Sequence, residues 1–237
     1  MTTPDTSDRT ITLPDGTALQ VSEYGTGQPL VLVCGTTQSH RLWAPLLPAL
    51  SARYRVITYD HRGIGDSARG DAPISMASLA DDLNELLGVL GIDRTHVLGW
   101  SLGSTVAQEL ALRHPLRVAG LVLAGTWGRT DAFQACVFTG LGHPWRTGHR
   151  DVALTALGIA FSPELLNSPQ YPAMMAQLTR CSRALPRNWR RRPNNGTPTS
   201  PTMRWTGWTK SPRPPSSSPP STTCSPRPGR AGPSPTG

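Results

Sequence analysis

The sequence contains no unbroken apolar run of the ~18 residues that a membrane-spanning helix requires. Its N-terminus, MTTPDTSDRT, is polar and acidic. With neither a basic leader nor an apolar stretch behind it, this segment does not read as a secretory signal, and a cytoplasmic protein is expected. Cysteine is scarce: Cys34, Cys136, Cys181 and Cys224 show no metal-type spacing. In a reducing compartment they are expected as free thiols, and no metal or other cofactor is implied. No internal repeat is visible. The most informative absence is regional, because residues 181–237 contain no Asp, Glu, Val, Ile, Phe or Tyr and only one Leu.

That absence explains the charge. The chain has 237 residues and a formal net charge of +8, which by itself suggests a polyanionic partner. Residues 1–180, however, hold 13 Lys+Arg against 15 Asp+Glu, and residues 181–237 hold 10 basic residues and 13 of the 24 prolines. The basic stretch cannot bury enough apolar surface to offset its ordering entropy. We therefore expect two unlike parts, a folded domain over residues 1–180 and a Pro/Ser/Arg-rich, disordered tail over 181–237. Neither a nucleic-acid nor a membrane partner is expected of the folded part.

Residues 1–125 alternate strand and helix signals, the pattern of a mostly parallel sheet with helices on both faces. Thr10 to Leu13 and Leu19 to Tyr24 predict an opening hairpin around Pro14-Asp15-Gly16. PLVLVC (29–34) predicts a buried strand, His40 to Arg53 a helix with Trp43, Leu46, Leu47 and Leu50 on one face, and YRVITY (54–59) the next strand. A long helix starts after Ser75, a good N-cap, with Met76, Leu79, Leu83, Leu86, Leu87 and Leu90 in one stripe. Thr95 to Leu98 reads as a strand, Ser101 to His114 as a helix and VAGLVLA (118–124) as a further strand. Less regular helical stretches follow at about 130–165 and 170–180.

Gly99-Trp100-Ser101-Leu102-Gly103 stands between that short strand and its helix. A bare GxSxG is short enough to arise by chance, but the strand–turn–helix context makes it a nucleophile elbow. The serine must sit on a very tight turn so that its hydroxyl projects from the sheet edge. Side chains two residues to either side would collide, so Gly99 and Gly103 are required. The helix N-terminus beneath offers partial positive charge and the free N–H of Leu102 to a developing oxyanion.

Over about residues 10–180 the chain resembles the α/β-hydrolase superfamily. VLVCGTTQSHRLW (31–43) is similar to the family's oxyanion segment HGxxxxxxxW, YDHRGIGDS (59–67) to its DxRGxGxS loop, and HVLGWSLGSTVAQELALRHPLRVAGLVLAGT (96–126) to its elbow, helix and next strand. The resemblance implies Ser101 as nucleophile and the backbone N–H groups of Thr36 and Leu102 as the oxyanion hole. It makes the 130–180 region a lid. Cys34 replaces the family's usual His, which implies a slightly displaced oxyanion loop. Asp60, Arg62 and Asp66 are expected to brace their loop rather than do chemistry. The implied reaction is cofactor-free cleavage of a small ester or lactone through an acyl-enzyme. The GTTQ stretch bears a faint similarity to 3-oxoadipate enol-lactonases.

A serine nucleophile needs a base, and the base an orienting acid. The family supplies them late in the chain, in the order Ser, Asp, His. Neither loop is present here. His40, His61, His96, His114, His143 and His149 all miss the family's position, and the base is left open. Asp131 follows the sixth strand, where some members place the acid, and is the acid candidate. The oligomeric state is not legible.

Three readings of residues 181–237 stay open: a genuine disordered tail, a basic binding module, or a reading-frame error. Shifting the implied codons back by one base tests the third. Arg204 after Met203 becomes Ala if its codon is CGN, and Thr206 and Thr209, each after Trp, become Asp. Ser216, Ser217 and Ser218, if TCN, each become Leu, Val, Ile or Phe. With GC-rich codon choices, Thr202 to Pro228 re-reads as HDALDRLDEITAPTLVVAAEHDVLTPP, which is similar to the family's seventh strand and acid loop, with the acid where Thr223 stands. On this reading the shift falls near Arg180 and Cys181. The fold is then C-terminally incomplete, its activity is impaired or absent, and the basic charge reflects no partner.

Overall fold

The structure is a computed structural model that defines residues 6–147 and 161–182. The proposed tail over 181–237 falls almost wholly outside the described residues, as does His149. Among the described residues, no helix is long and apolar enough to cross a membrane.

The chain opens with β1 (Thr6–Thr12) and β2 (Ala18–Tyr24), paired antiparallel through the turn at Pro14-Asp15-Gly16. Asp15 stabilises that turn by accepting the Thr17 amide at 2.8 Å, the short-range bond that Asp offers a turn. β1 starts earlier than the hydrophobic pattern suggests, because TSDR is polar, with Ser7, Asp8 and Arg9 exposed, but still pairs along its backbone. β3 (Gln28–Val33), β4 (Tyr54–Tyr59), β5 (Thr95–Trp100) and β6 (Val118–Ala124) complete a sheet of order β1-β2-β4-β3-β5-β6. The last four strands are parallel to one another.

Side chains alternate across β3, and this alternation builds two cores. Val31 and Val33 join Leu19, Val21, Ile57, Tyr59 and Val97 on one face. Leu30, Leu32 and Cys34 join Trp43, Leu47 and Val56 on the other. The first face is covered by α2 (Met76–Val89) and α3 (Leu102–Arg113), through residues such as Leu83, Leu86, Val106 and Leu110. α2 begins where expected. Ser75 Oγ accepts the Ser78 amide at 3.0 Å while Ser78 Oγ accepts the Ser75 amide at 2.9 Å, a reciprocal cap.

The second face is covered differently from expectation. The predicted helix from His40 to Arg53 is broken into a 3₁₀ turn (His40–Trp43) and a short α1 (Leu47–Ser51). Pro45 and Pro48 explain the break, since each lacks an amide donor and its ring clashes with the preceding turn. Trp43 and Leu47 are buried, but Leu46 is exposed instead of sharing their face. Beyond β6 come α4 (Ala132–Thr147), α5 (Pro163–Leu166) and α6 (Tyr171–Ser182), the last packed against the 40–43 turn. Cys34, whose Sγ donates to Ser39 O at 3.4 Å, and Cys136 form no disulfide among the described residues.

Candidate active site

β3 and β5 are parallel neighbours, with Val33 opposite Gly99. After β3 the chain passes to the face of Trp43 and Leu47, and after β5 it passes to the face of α3. Two adjacent strands whose continuations leave on opposite faces open a crevice at their carboxyl ends, the usual ligand site of an open α/β sheet. Gly35, just after β3, lies against Ser101, just after β5.

Ser101 adopts φ 52°, ψ −123°, a conformation L residues rarely take. Its amide donates to Ala124 O at 2.9 Å, and its carbonyl accepts the Ser104 amide at 2.9 Å. The turn is thus fixed from β6 on one side and from α3 on the other. The flanking glycines are sterically required. A Cβ at Gly99 would lie 2.6 Å from Ser104 Cα, and one at Gly103 would lie 2.5 Å from Cys34 O. Helix α3 therefore packs directly on the end of β3, with no room for a methyl group. Leu102 is the first residue of α3, where backbone N–H groups have no intrahelical acceptor.

The opposite wall touches the elbow through Gly35. A Cβ there would lie 3.2 Å from Ser101 Cβ, 3.0 Å from Trp100 Cδ1 and 2.7 Å from Gln38 Oε1. The absence of that Cβ lets the oxyanion segment approach the serine. Thr36 follows at the exposed rim, and Thr37 sits at φ 60°, an unusual conformation for a β-branched residue. Sequence reasoning passed over Gly35, Thr37 and Gln38. Only for Gly35 was there a signal, a glycine directly after a buried strand.

The loop 60–67 holds this wall in place. Asp60 is buried and its Oδ1 accepts both the His40 amide at 2.6 Å and His40 Nδ1 at 2.9 Å. Buried Arg62 is forked onto buried Asp82 of α2 and reaches Asp15 at 3.1 Å. Hydrogen bonding to Asp82 raises its pKa, so the guanidinium stays charged. These two residues brace the loop. The Asp66 amide donates to Asp60 Oδ2 at 3.3 Å, and its exposed carboxylate pairs with Arg41 at 3.8 Å.

No imidazole among the described residues is hydrogen-bonded to Ser101. His40 is committed to Asp60 and opens the 3₁₀ turn. His61 is buried, donates Nε2–H to Cys34 O at 3.1 Å and meets the Tyr59 ring edge-on. Burial holds its pKa below the usual histidine value, against the pull of the Cys34 carbonyl and of Asp82 and Asp60. His96 packs edge-on to Tyr54, and His114 caps α3 and contacts Asp81 at 2.9 Å. His143 is exposed on α4. Asp131 caps α4, its Oδ1 accepting the Gln134 amide at 2.8 Å.

A model of a family described as "alpha/beta hydrolase fold" matches residues 28–217. A protein of Azorhizobium caulinodans named "Putative carbamate hydrolase RutD" is 38% identical over 110 residues, 46% of this chain and 42% of that one. The chain thus matches well under half the length of this relative. Among solved structures, a hydrolase from Pseudomonas aeruginosa PA01 superposes with a TM-score of 0.64 and 32% identity, over 75% of this chain and 69% of its own. The enol-lactonase from Burkholderia xenovorans LB400 gives a TM-score of 0.60 and 26% identity, over 73% and 67%. The strand order, the glycine-flanked turn at the end of β5 and the family match agree, and the chain belongs to the alpha/beta hydrolase fold family.

Proposed function

We propose that residues 10–180 are the nucleophile-bearing part of a serine hydrolase for small carboxylic esters or lactones. One observation carries this reading: Ser101 is held at φ 52° between Gly99 and Gly103, at the start of α3 and against Gly35. A serine without a special task has no reason to occupy that conformation. Ser101 Oγ attacks the carbonyl carbon, and the N–H groups of Thr36 and Leu102 receive the developing oxyanion. Collapse expels the alcohol and leaves an acyl-serine, which water then hydrolyses. The names of the similar proteins, carbamate hydrolase and enol-lactonase, describe attack on the same kind of carbonyl.

Among the described residues, no histidine is hydrogen-bonded to Ser101 to serve as its base. We propose that residues from about 181 onward are encoded one base out of frame, with the acid restored at position 223 when the frame is corrected. Sequencing the gene across codon 180 tests this directly, since codons incompatible with the re-read string refute it. The activity test sets this chain beside the frame-restored protein. A fluorophosphonate should label Ser101 rapidly, and a p-nitrophenyl ester should turn over, only in the restored protein. Equal rates in the two would refute the impairment, and silence in both would refute the hydrolase reading.

A further inference from the structure

We propose that Gln38 selects the substrate of Ser101. Its side-chain carbonyl accepts a hydrogen bond from an N–H on the reacting carbonyl group, so the site favours carbonyls flanked by N–H, as in N-monosubstituted carbamates, over plain esters. This rests on the serine-hydrolase reading of Ser101. The observation that carries it is Gln38 Oε1, which is buried and has no hydrogen-bond partner among the described residues. A buried acceptor without a donor is destabilising, and native structures hold few of them.

The backbone holds this oxygen in place. Gln38 N donates to Gly35 O at 3.3 Å, which closes a tight turn over Gly35-Thr36-Thr37-Gln38. Thr37 stands third in the turn at φ 60°, where a positive φ usually calls for Gly or Asn. Strain of this kind persists only where the surroundings enforce it, and it gathers at ligand sites. Here it folds Gln38 back over Gly35. A Cβ at Gly35 would lie 2.7 Å from Gln38 Oε1 and 3.2 Å from Ser101 Cβ, so both atoms border the space that Gly35 leaves empty. In a substrate bonded to Ser101 Oγ, the atom next to the carbonyl carbon lies about 3–4 Å from Ser101 Cβ, and a hydrogen bond spans about 2.9 Å more. An N–H at that atom is within reach of Gln38 Oε1, whereas a methylene there leaves the oxygen unsatisfied. The oxygen is closed off from solvent, so its donor arrives with the molecule that opens the crevice to Ser101.

Equilibrium binding to the purified 237-residue chain, followed by tryptophan fluorescence, tests the proposal without turnover. Phenyl N-ethylcarbamate and phenyl butyrate are isosteric, with NH in one where the other has a methylene. Phenyl N-ethyl-N-methylcarbamate keeps the nitrogen but loses its proton. The first probe should bind about tenfold tighter than the other two, and Gln38→Leu should bring all three within about twofold of one another. If circular dichroism shows the leucine chain unfolded, the three probes on the unmodified chain still decide. Equal affinities, a preference for the ester, no binding of any probe up to about 10 mM, or an N–H preference that survives Gln38→Leu would each overturn the proposal. Fluorophosphonate labelling in the frame-restored protein reports separately on the serine. Labelling without an N–H preference overturns the role of Gln38 alone, and an N–H preference without labelling overturns the hydrolase reading.

Discussion

Ser101 at φ 52° and Thr37 at φ 60° both hold conformations that cost stability that a glycine would not lose. Ser101→Gly and Thr37→Gly should therefore each raise the unfolding free energy, by about 0.5–1 kcal/mol after the extra unfolded-state entropy of glycine. Urea titration measures both, and an unchanged or lower midpoint would show that the strain is not there. The buried imidazole of His61 makes a different prediction. Its folded pKa lies below its unfolded value of about 6.5, so the unfolded state binds the proton more readily. Its contribution is complete above that value and is lost as the pH falls through the window below it. Melting temperature should drop between about pH 7 and pH 5, and His61→Gln should flatten that slope. Of these residues only Ser101 could be picked out beforehand, because a motif reports residue type and spacing while strain and burial arise from neighbours distant in sequence.

Elements were legible where one periodicity held and no proline intervened. β4 and β6 have the predicted limits, Ser75 caps α2 as expected, and the elbow helix starts beside its serine. The segment 40–53 was not, since its apolar spacing suits a helix that Pro45 and Pro48 forbid. The link between elements rests on Arg62 and Asp82, which tie the 60–67 loop to α2 in a buried, bidentate pair. Removing one partner leaves an uncompensated buried charge, so Arg62→Met should destabilise the domain by about 3–5 kcal/mol in chemical denaturation. A loss below about 1 kcal/mol would place the pair in solvent instead. The elbow is equally intolerant. Gly103→Ala pushes a methyl into the carbonyls of Val33 and Cys34 and should cost about 1–3 kcal/mol while displacing Ser101.

At the scale of the whole molecule, charge and fold separate along the chain. Residues 1–180 carry a slight acidic excess and residues 181–237 carry only positive charge. The full chain should be retained on heparin at low salt through non-specific phosphate-like contacts, and a chain ending at residue 182 should flow through. Retention of the shortened chain would locate a basic surface on the domain itself. The sequence by itself determined the alternation of strands and helices, the glycine-flanked serine and the uneven charge, because these depend on local pattern and composition. Only the tertiary structure decided the rest. It brought Gly35 against Ser101, committed His40 to Asp60 and His61 to the Cys34 carbonyl, and set β5 between β3 and β6 in the sheet. Those outcomes depend on which strands become neighbours, and neighbours are chosen by burial and hydrogen bonding across the whole sheet.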